Sequence, residues 1–309
     1  MSGDQKDDKE KSSIKHIIQS LLVNVAIAAA KGVAAVMTGS GAMLAETLHS
    51  TADCSNQLLL LLGVRESGKP PDESHPLGYG RDLYFYSFVV ALLLFTGGGV
   101  FSIYEGIHKL SHPEPVENVW LGLGILLFSM VLEGWATWGN LKEMKKRRGK
   151  LSLIEYLKRT KDSDLIILFG ENSAAVLGLS VAIISLLLAW QTGNGMFDSI
   201  GSIIIGVVLI GVAIFLGREV KSLLIGESAD PVVAEAVKAT VPDHPNVEAV
   251  LRLITVQQGP GEVLVAMKIR MKGGLSTQEL VDSINKFEQA VHDRAPEIRW
   301  CFVEPDHEE

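Results

Sequence analysis

The chain has 309 residues, 47% of them hydrophobic, with 28 Lys and Arg against 36 Asp and Glu and two cysteines. Cys54 and Cys301 lie in different parts of the sequence, which excludes a disulfide framework and leaves each as a small buried residue rather than a ligand. The formal charge of -8 says little about partners, because the acids are spread out. A mean hydropathy of +0.26 hides a split between an apolar first two-thirds and a mixed-polarity final third. One part in a membrane and one soluble part are therefore expected.

Residues 1–12 (MSGDQKDDKEKS) read as a disordered, charged cytoplasmic tail. Residues 13–225 form the expected transmembrane domain. Its apolar stretches run approximately over 14–37, 41–64, 83–110, 118–140, 164–190 and 197–217, each near the roughly 20 residues that span a bilayer. Met37-Thr-Gly-Ser-Gly41 is short enough to demand a tight helical hairpin. Lys and Arg concentrate in the N-terminal tail, in the 2–3 loop (Arg65, Lys69, Arg81) and in the 4–5 loop (Lys142, Lys145, Lys146, Arg147, Arg148, Lys150). That alternation places both termini in the cytoplasm. It also explains the KKRRGK run as a juxtamembrane loop, with no nucleic-acid partner. No secretory signal or transit peptide is recognised, which favours a bacterial inner (plasma) membrane.

Residues 226–309 change character. Asp230–Val241 predicts an amphipathic helix with Pro231 in its first turn. Val247–Gln257 and Glu262–Met271 predict strands around Gln258-Gly-Pro-Gly261, and Arg299–Val303 a last short strand. Ser276–Ala295 predicts a helix opened by a capping box of Ser276 and Glu279. The fold class is thus an α-helical membrane protein: six transmembrane helices followed by a small cytoplasmic α+β (αββαβ) domain. A domain of about 80 residues has a marginal core, which favours dimerisation.

Chemistry concentrates in the second apolar stretch. Glu46, His49 and Asp53 are spaced i, i+3 and i+7 and share one helix face. Ionisable groups are costly in hydrocarbon and mark metal sites, proton paths or substrate pathways. A polar seam that only glues helices is the plainer reading. His and Asp one turn apart, however, are a transition-metal ligand pair, so the residues point to movement of a divalent metal. Lys31 is either a counter-charge to Glu46 or Glu133 inside the bundle or a side chain reaching to the interface. Glu105 and Glu133 are read as proton-path or helix-packing groups. Asn56, one turn beyond Asp53, could support it.

The stretch Thr38–Asp53 (TGSGAMLAETLHSTAD) resembles the second-helix signature of the cation diffusion facilitator family. Pro71–Arg81 (PDESHPLGYGR) is similar to that family's 2–3 loop, and Leu223–Asp230 and Val303–Pro305 are similar to its terminal-domain entry and end. Cys54–Gln57, Leu132–Gly134 and Gly170–Gly178 resemble the zinc transporter nine branch most. The resemblance implies a homodimer of six-helix protomers that exports zinc or a similar ion from the cytoplasm in exchange for protons. It implies a transport site with His49 and Asp53 on helix 2 and Glu171 on helix 5. The position one turn before Glu171 is Ile167, which cannot bind metal, so the fourth place falls to water, Asn172 or Glu46.

Asp72 and His75 match two ligands of a second, looser site in the 2–3 loop, with Tyr79 at the third position. In the terminal domain Glu304 stands at an acidic ligand position, but Phe302 and Leu251 stand where ligands are expected. Dimerisation rather than regulatory metal binding is therefore its expected role. His244, His292 and His307 have no ligand spacing and read as solvent-facing.

An intramembrane metalloprotease would need His-Glu-x-x-His, which is absent, so no enzyme activity and no cofactor are expected. The alternatives kept are a manganese, iron or cobalt exporter of the same fold, a passive metal channel, and a non-transporting membrane scaffold.

Overall fold

The computed structural model describes residues 3–111, 115–149, 152–153, 156 and 163–307, with the backbone alone for 3–20, 60, 64, 147 and 163–168. The chain divides into two compact units. The first holds the helices up to Val220; the second joins the loop Glu66–Tyr84 to the chain from Lys221 onward.

The first unit contains α1 (Gly3–Thr38) and α2 (Gly41–Ser67). Next, α3 (Asp82–Leu93) runs through a π-turn (Leu94–Val100) into α4 (Phe101–Ser111). After these come α5 (Val119–Arg147), α6 (Ser163–Thr192) and α7 (Met196–Ile225). The tail expected to be disordered continues α1 back to Gly3, since no Gly or Pro interrupts residues 4–31. The α5 and α7 helices also outrun their apolar stretches. Hydropathy ends where the bilayer does, whereas helix propensity persists through Lys142–Lys146 and Arg218–Leu224.

Five helical stretches are long and apolar enough to cross a membrane among the described residues: Leu21–Thr38, Asp82–Ser111, Val119–Lys146, Phe169–Thr192 and Met196–Ile225. The expected second span, α2, is a helix but does not meet that measure. Glu46, His49, Ser50, Asp53, Asn56 and Gln57 lower its hydropathy. Its polar face turns inward, with Glu46 and His49 at 0% and 1% exposure.

The α1–α2 hairpin closes through Gly39 in the left-handed region (φ +62°), and the Ser40 hydroxyl accepts from the Met43 N–H at 3.0 Å. The π-turn stretch and α7 meet backbone to backbone. A side chain at Gly206 would meet the Gly99 carbonyl at 2.8 Å, and Ser202 Oγ donates to the Ser102 carbonyl at 2.9 Å. Met43, Leu126, Leu179, Leu186, Ile205 and Leu209 fill the bundle core.

In the second unit, α8 (Pro231–Thr240) starts at Asp230, whose carboxylate accepts from the Val232 N–H at 2.9 Å. A 3-10 turn (Val241–Asp243) leads to β1 (Val247–Gly259), β2 (Glu262–Met271), α9 (Thr277–Arg294) and β3 (Ile298–Pro305). The sheet order is β1-β2-β3, antiparallel between the first two and parallel between the last two, with Thr255 opposite Val265 and Met267 opposite Val303. The Ser276–Glu279 capping box is formed in both directions. Val233 and Val237 of α8 and Phe287 and Val291 of α9 pack on Val265, Ile269 and Ile298 of the sheet. His244, expected in solvent, is half-buried: its ring stands edge-on to Phe287 at 5.3 Å and Nδ1 lies 3.0 Å from the Thr240 carbonyl. The 3-10 turn folds it back onto the core. Gly80 of the Glu66–Tyr84 loop lies on the β1–β2 turn, where a side chain would meet the Gln258 carbonyl at 2.8 Å.

Candidate metal site

Two contacts set α2 against α6. Near the start of α2, the Glu46 carboxylate fills the space over Gly178, where any side chain would collide with Oε1. Ten residues on, Asn56 Nδ2 donates to Glu171 Oε1 at 2.5 Å. Positions thus rise along α2 as they fall along α6, and the helices run antiparallel here. His49 and Asp53 lie between these contacts, against the stretch Glu171–Gly178. The face read from i, i+3, i+7 spacing is the face that meets helix 5.

His49 Nε2 stands 3.8 Å from Asp53 Oδ2, with the Asp53 side chain 23% exposed. Neither His49 nitrogen has a hydrogen-bond partner, although both are buried. The Asp53 and Glu171 carboxylates interact electrostatically, and Glu133 of α5 interacts with both His49 and Asp53. Asp53 is therefore the link between the two helices, one turn from His49 and in reach of the Glu171 charge. Even so, no group of three His, Cys, Asp or Glu side chains in metal-holding geometry is formed among the described residues. Of the candidate fourth ligands, Glu46 is already paired: Lys31 Nζ donates to Glu46 Oε2 at 3.1 Å and to Ser50 Oγ at 2.8 Å. Asn172 is half-buried, and its carbonyl accepts weakly from the Thr137 hydroxyl at 3.4 Å. The side chain of Ile167 lies outside the described residues.

Lys31 is fully buried, so it is a counter-charge to Glu46 and not a group reaching for the interface. Glu105 pairs with Lys109 one turn on, at 3.7 Å. Asp198, which the sequence reading passed over, is 2% exposed at the start of α7. It accepts from Ser40 Oγ and the Gly41 N–H at 2.5 Å each, and so caps the helix that carries the site. The signal was present, because an acid at the head of an apolar stretch needs a partner.

In the 2–3 loop, Asp72 and His75 approach to 3.7 Å, but Asp72 is occupied by the turn itself. It accepts from the Ser74 and His75 N–H groups and from the hydroxyls of Ser74 (2.7 Å) and Tyr79 (2.6 Å). The Tyr79 and Ser74 hydrogen bonds hold its carboxyl well below the usual range. Glu304 is exposed and lies 3.8 Å from Lys268, and Phe302 beside it on the sheet is exposed as well. Burial pushes the Cys301 thiol up to about 12, with the Glu288 charge adding to it, which suits a structural cysteine.

Residues 17–225 match the model of the cation efflux transmembrane domain. The chain belongs to the cation efflux family. It carries that family's transmembrane domain and stands near the zinc transporter nine branch. It is 32% identical over 270 residues to the proton-coupled zinc antiporter SLC30A9, mitochondrial, of Xenopus laevis, covering 87% of this chain and 48% of that protein. The Homo sapiens protein of the same name is 30% identical over 279 residues, covering 88% of this chain and 49% of its own. The chain spans about half the length of these curated relatives. Among solved structures, a MamM-CTD variant matches at 18% identity with a TM-score of 0.24, covering 26% of this chain and 94% of its own.

Proposed function

We propose that this cation efflux protein exports a divalent transition metal, zinc first, from the cytoplasm in exchange for protons. The observation that carries the reading is His49: a buried imidazole with neither nitrogen hydrogen-bonded, one turn from Asp53, whose carboxylate in turn interacts with that of Glu171 across the α2–α6 contact. Leaving buried polar atoms unsatisfied is costly, so such a side chain is kept for a ligand. One imidazole and two carboxylates suit zinc and offset its charge, with Asn56 orienting Glu171. Water completes the shell, which also tolerates manganese, iron or cobalt. Metal and protons compete for the same donors, the minimum for exchange. The names of the relatives as proton-coupled zinc antiporters support both cargo and coupling.

In this reading α2 is the sixth span: its 27 residues reach about 40 Å, enough to cross with its polar face turned inward. Both termini lie in the cytoplasm of a bacterial inner membrane, and the chain works as a homodimer joined through residues 226–309. The alternation of Lys and Arg supports the sidedness, and the small core of the terminal domain supports the pairing. Protease access to terminal tags in sealed vesicles tests sidedness; cleavage of the two tags from opposite sides would contradict it.

The deciding experiment is flux into liposomes under an imposed pH gradient, with zinc, manganese, iron, cobalt and cadmium compared. Zinc is expected to move fastest and to dissipate the gradient as it moves. Metal flux without proton movement would make the protein a passive channel; no flux of any metal would favour a scaffold.

A further inference from the structure

A lysine with 0% exposure inside a membrane domain is an expensive feature. Three observations show that the bundle is built around it. Lys31 of α1 crosses to α2, where its ammonium binds Glu46 Oε2 at 3.1 Å and Ser50 Oγ at 2.8 Å. Glu46 and Ser50 flank His49 in sequence, three residues before it and one after, and the Lys31 charge acts on the imidazole. On the other side, α6 presents Gly178, the residue that leaves room for the second carboxylate oxygen. That oxygen, Glu46 Oε1, is buried and has no hydrogen-bond partner.

Glu46 thus has one oxygen committed to Lys31 and one free, one helical turn from a metal ligand and on the same face. Without Lys31 its whole carboxylate would be available to a divalent ion beside His49. With Lys31 it is held back, and its charge is cancelled. We propose that Lys31 sets the affinity of the transport site: a tethered cation that holds Glu46 off the cargo and limits the protein donors to His49, Asp53 and Glu171. The inference rests on the site assignment made above. Its functional sense is release. A fourth protein carboxylate would tighten the hold on every divalent ion and slow the turnover of a carrier that must let go on each cycle.

The two members of the pair should therefore act in opposite directions. Lys31→Met frees a carboxylate, and zinc binding should tighten about tenfold, with flux falling at saturation while the half-saturating concentration also falls. Glu46→Gln leaves an uncompensated ammonium whose charge acts on His49, and zinc binding should weaken about tenfold. The double variant should return to within a few-fold of the unaltered protein, because neither charge remains. A pair that only cements α1 to α2 would instead lower stability in both single variants and shift affinity in the same direction or not at all.

The test is zinc binding by titration calorimetry on the purified full chain, with flux in liposomes alongside and Asp53→Ala as control. Affinity shifts of opposite sign in the single variants, cancelling in the double, are the expected result. Shifts of the same sign, or none, overturn the proposal. Should Lys31→Met not fold, Glu46→Gln decides alone, since it preserves side-chain volume: unchanged or tighter zinc binding overturns the proposal. Asp53→Ala separates the two levels. If that control still binds zinc as the unaltered protein does, the site assignment itself has failed; if it loses binding while the pair fails the sign test, only the role of Lys31 falls.

Discussion

The two units of this chain obey opposite rules. In the helical unit the buried residues include Lys31, Glu46, His49 and Asp198, while Trp135 and Trp138 on α5 are 82% and 73% exposed. In the terminal unit Phe287, Val265, Ile269 and Val291 are buried, and the charges of Lys268, Glu304, Arg294 and Asp243 pair at the surface. The difference is the solvent. Around the first unit hydrocarbon accepts apolar side chains at no cost, so it is the polar groups that are turned inward. Around the second unit water drives the apolar groups inward, and burial supplies stability. Burial therefore takes in charged groups beside the apolar core in the helical unit, and apolar groups in the terminal one.

The largest test of that contrast removes a terminal-domain anchor. Phe287→Ala should cost about 3–5 kcal/mol, because its ring is fully enclosed between helix and sheet. Chemical denaturation followed by a probe in residues 226–307 would read it, and a loss under 1 kcal/mol would mean that this core is not the one described. A matched pair comes next. Val131 on α5 and Val232 on α8 are exposed to similar extents, 67% and 62%. Val131→Arg should cost about 2.5–3.5 kcal/mol of membrane insertion, whereas Val232→Arg should fall within about 0.5 kcal/mol of neutral. Equal effects in insertion and unfolding assays would erase the distinction between the two environments.

Smaller effects belong to the caps. Asp198→Ala should remove about 1–3 kcal/mol, since Ser40 Oγ and the Gly41 N–H lose a buried acceptor together. Thermal unfolding in detergent would show it, and an unchanged midpoint would mean that α2 does not depend on α7 for its start. Ser276→Ala, which opens the α9 capping box, should cost about 1 kcal/mol. Denaturation of the terminal domain measures that, and Ser276→Asp should recover most of the loss.

How much of this was legible in the sequence depended on distance along the chain. The 37–41 hairpin, the Pro231 helix start and the Ser276 capping box are governed by residues a few positions apart, and all three are in the structure. The i, i+3, i+7 face of α2 was equally local. Its neighbour across the bundle was not. Hydropathy measures how apolar a stretch is and not how the helix is rotated, so Lys31 could be given two destinations and Asp198 none. The expectation of a span over 41–64 met the same limit: α2 is a helix, but its inward-facing polar side chains keep it below the hydropathy of the other five. His244 went wrong for a related reason, since a 3-10 turn of three residues leaves no period to show which way its ring points.

The central claim is that the inward face of α2, met by Glu171 of α6, holds the transported metal. The most direct measurement is zinc flux into liposomes by Asp53→Ala, with insertion and helical content checked on the same preparation. A carboxylate lost from a three-ligand site should lower flux by about 100-fold or more while the protein stays folded. Flux at the level of the unaltered protein, for zinc and for every other metal tested, would contradict the account.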